Sequence, residues 1–306
     1  MKPATRLMSL ALLLAFATQA GAGPLRDRLE ARRAARAAAE GTLDDGYTGA
    51  ARQNLPHGVR LVRDVAYGGD KAQRFDVYVP KGAANAPVIF MVHGGGWKHG
   101  DKKMDAVVEN KVAYWSRKGV IVISTDYRML PDADPVVQAQ DVASAIGVAQ
   151  EKASEWGGAR GKFILMGHSA GAHLVSLLNS SPQLQGSARW LGVVALDSAA
   201  FDVEMIMQGR HMRLYDEPFG ADPAFWRAAS PYAQLARAGQ PVLAVCSSRR
   251  DDSCAQANRY ADKFRQLGGR IEVLPQDLTH RAINETLGED SAYTRAVDGF
   301  IASLLK

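Results

Sequence analysis

Three kinds of side chain in this sequence could together activate a hydroxyl. Ser169 lies in Gly167-His168-Ser169-Ala170-Gly171, between the apolar run Phe163–Met166 and the helical pattern Ala172–Leu178. A strand, a sharp turn centred on serine and a helix present the hydroxyl at a strained apex, and the flanking glycines allow backbones to approach without Cβ atoms. Such a serine sits at a helix N-terminus, where N–H groups favour a developing negative charge. The hydroxyl is a weak nucleophile until a base takes its proton and a carboxylate orients that base.

The histidines are His57, His93, His99, His168, His173, His211 and His280. On the chain order serine, acid, histidine, His280 is the candidate base, because it alone follows the last two expected strands. The acid is expected in the loop after the strand Pro241–Val245, which reads Cys246-Ser247-Ser248-Arg249-Arg250-Asp251-Asp252-Ser253-Cys254. Asp251 and Asp252 are both candidates. Asp252 is preferred as the nearer to the restart of the helix.

A second motif concerns the charge that forms when a hydroxyl attacks a carbonyl. Val88–Val92 reads as a buried strand and runs into His93-Gly94-Gly95-Gly96-Trp97. Three successive glycines expose backbone N–H groups, and with the N–H of Ala170 they could hold an oxyanion. Gly94, Gly95, Gly96 and Ala170 are therefore the candidate oxyanion hole. His93 is expected to brace the glycine turn, and His168 and His173 to pack or orient the elbow.

The remaining pattern supplies the scaffold. Strand-like runs alternate with helical ones: Arg60–Ala66, Arg74–Val79, Pro87–Val92, Val120–Thr125, Phe163–Met166, Leu191–Leu196, Pro241–Val245 and Arg270–Leu274, with helices over Lys103–Lys118, Val136–Trp156, Ala255–Leu267 and Ser291–Leu305. This predicts an α/β fold with a mostly parallel central sheet of about eight strands and helices on both faces. From 199 to 239 the pattern breaks into scattered aromatics and methionines, read as a small cap-like insertion beside the site or as a core-packing excursion.

With these motifs in register, the chain resembles the α/β-hydrolase superfamily. It is most similar to the esterase/lipase branch of carboxylesterases, feruloyl-type esterases and kynurenine formamidases, over roughly residues 58–306. Tyr127-Arg128 matches a recurrent feature of that branch, whereas Cys246-Ser247 stands where the branch commonly has His-Gly. The resemblance implies a serine esterase acting on a small-molecule ester by two-step acyl transfer. Ser169 would be the nucleophile, Asp252 the holder of the His280 tautomer, and the N–H groups of Ala170 and Gly95, with Gly94 or Gly96, the oxyanion donors. It implies no cofactor and no metal. The alternatives it leaves are a formamidase or other amidase, a lipase or depolymerase, an acyltransferase, and a non-catalytic protein that kept the fold.

Composition bounds the setting. Lys2 and Arg6, the apolar stretch Leu7–Ala17 and Ala20-Gly21-Ala22 have the form of a cleavable export signal over residues 1–22, which predicts a periplasmic or secreted protein. Losing it removes two positive charges from a formal net +5. Residues 23–57 open with an Arg/Ala-rich run that could touch an anionic surface weakly, or simply be solvated. The rest is near neutral, which gives no support for nucleic-acid binding, and no other stretch is long and apolar enough to span a bilayer. Cys246 and Cys254 could pair across their loop after export, or remain two buried thiols.

Overall fold

The structure is a computed structural model and describes residues 55–306. Residues 1–22, expected to be an export signal, and nearly all of the basic 23–57 segment lie outside the described residues.

Eight strands form one sheet: β1 (Val59–Ala66), β2 (Arg74–Pro80), β3 (Ala86–Val92), β4 (Ile121–Thr125), β5 (Gly158–His168), β6 (Gly192–Leu196), β7 (Val242–Ser247) and β8 (Ile271–Gln276). Their order is β1-β2-β4-β3-β5-β6-β7-β8. β2 is antiparallel to both neighbours, and the remaining pairs are parallel. Parallel strands are joined by crossovers that cover both faces, so these strands are apolar on both sides. On β3, Val88, Phe90 and Val92 enter one core, while Ile89 and Met91 enter the other. One face carries α1 (Asp105–Ser116), and the other carries α2 (Pro135–Lys152) and α3 (Ala170–Ser180). Later come α4 (Ser253–Gln266), α5 (His280–Glu285) and α6 (Ala292–Leu304).

Three differences from the sequence reading have local causes. The long helix ends at Lys152 and passes through a 3-10 turn, because Gly157 closes it at φ 76°. β5 is longer than its apolar run, since Ala86 pairs with Gly158 beyond a register irregularity. His280 is not in a loop: Thr279 accepts the N–H of Ala282 at 3.1 Å and starts the short helix α5 with His280 as its first residue.

Register sets the level of the chemistry. Val92, Gly167, Ala195, Ala244 and Val273 are consecutive Cα partners across β3, β5, β6, β7 and β8. Two positions beyond this row, at the carboxyl edge, stand Gly94, Ser169, Asp197, Cys246 and Pro275. In open parallel sheets this edge is where ligands bind.

Between β6 and β7, short helices Val203–Gln208, Asp216–Phe219, Pro223–Ala229 and Pro231–Gln234 fill the 199–239 stretch. Phe201, Tyr215 and Phe219 are buried there.

Candidate active site

Ser169 sits between β5 and α3 at φ 55°, ψ −118°, a conformation a non-glycine residue adopts only when its surroundings impose it. The glycines explain how. A Cβ on Gly171 would lie 2.2 Å from the Val92 carbonyl oxygen, and one on Gly167 would lie 2.4 Å from the Gly171 backbone. The first turn of α3 is thus pressed against the end of β3. The Ser169 N–H donates to Leu196 O at 2.9 Å, which pins the turn to β6.

His280 reaches the elbow from α5. His168 Nε2–H donates to the His280 carbonyl at 3.0 Å, and the two rings lie 4.5 Å apart. His280 Nδ1–H donates to a carboxylate at 2.6 Å, and that carboxylate belongs to Asp197. An imidazole that donates from Nδ1 carries its basic lone pair on Nε2.

The acid position is a correction to the sequence reading. Neither Asp252 nor Asp251 occupies it. Asp252 pairs with Arg250 Nη2, its Oδ1 3.1 Å away, and Asp251 is exposed. Asp197 stands level with Ser169 on the neighbouring strand, and the same level on β7 is taken by Cys246. Cys246 is buried and bonded to Cys254. A side chain committed to a disulfide cannot orient an imidazole, and the loop beyond it turns its aspartates outward. Like Asp251 and Asp252, Asp197 lies between Ser169 and His280 in the chain.

Asp197 is fully buried and strongly held. Its Oδ1 accepts the Ser247 N–H at 2.6 Å and the Ser253 hydroxyl, and its Oδ2 accepts His280 Nδ1–H and, at 2.9 Å, Arg250 Nη1–H. Burial works against the charge, but the His280 hydrogen bond and the nearby positive groups outweigh it and hold the carboxyl well below the usual range. Its φ of 54° matches that of Ser169, so two strained turns stand side by side. Only one sequence signal pointed to it, an aspartate directly after the apolar run Gly192–Leu196.

The glycine turn is strained as well, with Gly95 at φ 118°, Gly96 at 59° and Trp97 at 61°. Tyr127 Oη donates to the His93 carbonyl at 3.0 Å, and the two rings stack at 4.5 Å. The Trp97 carbonyl accepts Leu130 N–H at 3.0 Å and Gln138 Nε2–H at 2.8 Å. Behind the turn, Lys102 joins Asp64, Asp76 and Asp126 in a charged cluster. These contacts hold Gly94, Gly95 and Gly96 beside the Ala170 end of α3.

His173 couples this turn to the 199–239 segment. Its Nδ1 accepts Trp97 Nε1–H at 3.1 Å, and its Nε2–H donates to Ala229 O at 2.7 Å. Burial lowers its pKa to about 4, so it is neutral at ordinary pH. Above it, Phe219 lies 4.9 Å and Tyr215 6.0 Å from the Trp97 ring, and a Cβ on Gly96 would meet Leu214 Cδ1 at 2.7 Å. The 199–239 segment therefore packs directly on the glycine turn.

Among the described residues no group of three or more His, Cys, Asp or Glu side chains is arranged to hold a metal ion. No helix among them is long and apolar enough to cross a membrane.

Comparison with known proteins agrees with this architecture. The family model described as BD-FAE matches residues 75–208. Esterase LipC of Mycobacterium tuberculosis is 30% identical over 229 residues, spanning 67% of this chain and 55% of that protein. The chain spans about half the length, or less, of the first curated relatives it matches. Esterase B from Lactobacillus rhamnosis superposes with a TM-score of 0.70 at 20% identity, over 91% of this chain and 95% of that one. Thermogutta terrifontis esterase 2 phosphonylated by sarin does so with a TM-score of 0.65 at 21% identity, over 82% and 96%. With this strand order, this elbow and these matches, the chain has the α/β-hydrolase fold and is similar to esterases of that fold.

Proposed function

We propose that this chain hydrolyses small-molecule carboxylic esters through an acyl-enzyme on Ser169, with His280 as base and Asp197 as the acid that orients it. One observation carries the reading: a strained serine at φ 55° shares a sheet edge with a buried His–Asp pair 2.6 Å apart. A structural turn has no need of a buried carboxylate whose partner is an imidazole packed on the residue before the serine.

In this reaction the Ser169 oxygen attacks the ester carbonyl while His280 Nε2 takes its proton. Asp197 fixes the tautomer and stabilises the imidazolium that forms. The N–H groups of Ala170 and Gly95, with Gly94 and Gly96 beside them, receive the oxyanion. The His280 imidazolium then protonates the leaving alcohol, and water releases the acid by the same steps. The aromatic cap over Trp97 favours short or compact acyl groups. The 1–22 leader directs the protein to the periplasm or outside the cell, and the Cys246–Cys254 disulfide suits that oxidising setting. There the basic 23–57 segment adds at most a weak attraction to anionic surfaces.

The test is a p-nitrophenyl ester series from acetate to laurate, with the purified protein and its Ser169→Ala variant. We expect activity that peaks at short chains and disappears in the variant. The esterase from Thermogutta terrifontis takes a phosphonyl group from sarin, so an organophosphonate is the apt probe here. Its failure to label Ser169, with no ester cleaved, would overturn the reading.

A further inference from the structure

The most unusual group beside the site is a cation. Arg250 Nη1 lies 2.9 Å from Asp197 Oδ2 and 2.9 Å from His280 Nδ1. Since Nδ1–H donates to Asp197, the second distance is not a hydrogen bond. It is two donors converging on one carboxylate oxygen. The other arm of the guanidinium, Nη2, donates to Asp252 Oδ2 at 3.2 Å. The side chain is 10% exposed, and the loop that carries it is closed at both ends by the Cys246–Cys254 disulfide. A guanidinium does not lose its charge in a protein, so this is a fixed positive charge against the His–Asp pair.

We propose that Arg250 is a positioning residue that holds the Asp197 carboxylate in line with His280 and, by its charge, sets the acid limit of the reaction. The inference rests on the assignment of His280 as base. A lone carboxylate beside an imidazole favours the protonated ring, which cannot accept the serine proton. A fixed cation 2.9 Å from Nδ1 opposes a second positive charge on the ring. Asp252 moderates the effect by neutralising part of the Arg250 charge from outside. The disulfide loop thus takes no part as the source of the acid. It supplies the acid's counter-ion instead.

Arg249, next to Arg250, pairs with Asp277 of the loop before His280 at 2.7 Å. His168 faces His280 from the end of β5. Arg281 and Glu285, on α5 itself, pair with each other at 2.7 Å. Tyr215 of the cap faces Arg250, and Tyr293 of α6 lies near Asp197. Burial raises both phenols above their ordinary range, so they stay neutral.

The experiment is the pH profile of kcat/KM for p-nitrophenyl acetate, with the rate of Ser169 labelling by an organophosphonate as a second reading of the same limb. It uses wild type, Arg250→Gln, Arg250→Lys and Asp252→Asn. Removing the cation in Arg250→Gln should move the acid limb up by about one pH unit, as expected for loss of a close charge. Arg250→Lys should restore most of it. Asp252→Asn unmasks the cation and should move the limb the opposite way, to lower pH. A role in packing alone would lower the rate in these variants without moving the limb in opposite directions. If Arg250→Gln does not fold, Asp252→Asn, whose side chain is 40% exposed, decides alone. A limb that stays in place in the folded variants overturns the proposal while leaving the esterase reading intact. A wild type that neither hydrolyses esters nor takes the label overturns both.

Discussion

Asp197 Oδ2 and His280 Nδ1 are 2.6 Å apart although 83 positions separate them in the chain. The contact joins the end of β6 to the first residue of a short helix beyond β8, passing over β7. It makes Asp197 the carboxylate that can hold the imidazole tautomer. Asp197→Asn should therefore lower kcat/KM for p-nitrophenyl acetate by about 10³–10⁴-fold, the scale of losing the orienting carboxylate in such a triad. Asp252→Asn should stay within about tenfold of wild type at its own optimum, since Asp252 acts only through Arg250. The reverse ranking would return the acid to the β7 loop.

Gly171 governs how closely α3 approaches β3. With a Cβ only 2.2 Å from Val92 O and 2.5 Å from His93 O, Gly171→Ala must push the helix off the strand. Urea unfolding should report a loss of about 1–3 kcal/mol, the usual scale of overpacking. Activity should fall more steeply than stability, because Ala170 N–H moves with the helix.

His173 predicts a pH-dependent stability. The unfolded imidazole takes its proton near 6.5, the folded one only near 4. Between these values the unfolded state binds more protons, so stability falls as pH drops from 6.5 towards 4, by about 3 kcal/mol over the window. His173→Gln should flatten this part of the curve, whatever its effect on absolute stability, in denaturant titrations at stepped pH. Asp197 adds to acid lability only below the ordinary carboxylate range, because its folded pKa is lowered. A slope between pH 6.5 and 4 that survives in His173→Gln would remove His173 as its source.

The disulfide closes a loop eight residues apart in sequence. Loop-closure entropy for so short a loop corresponds to about 2.5 kcal/mol. The double variant Cys246→Ala/Cys254→Ala should lose stability on that scale. It should also lose activity, since the same loop carries Arg250, Ser247 and Ser253 to Asp197. Unchanged unfolding midpoint and rate would show that the bond constrains neither.

Much of this molecule was legible in its sequence because the relevant physics is local. Apolar runs bounded by glycines define strands buried on both faces, as at Val88–Val92 before Gly94-Gly95-Gly96. The elbow at Ser169 is local too, since strand, strained turn and helix are contiguous and the glycines that allow the close approach stand at fixed offsets from the serine. The position of His280 beyond the last strand followed from chain order, although its place on a helix needed Thr279 to act as a cap.

The acid could not be found in that way. Asp197 and Asp252 each follow an apolar strand, and both lie between the serine and the histidine, so local pattern and chain order treat them alike. What separates them is register across the sheet. Asp197 stands level with Ser169 on the adjacent strand, while the matching place on β7 is filled by a buried half-cystine that points its loop elsewhere. The same packing aims Arg250 inward and Asp252 outward. The sequence alone determined the fold and the strained turn that bears Ser169, because those depend on neighbours in the chain. Which carboxylate meets the imidazole, and which cation stands beside them, was decided only by the tertiary structure, because both depend on distances between strands that no local pattern encodes.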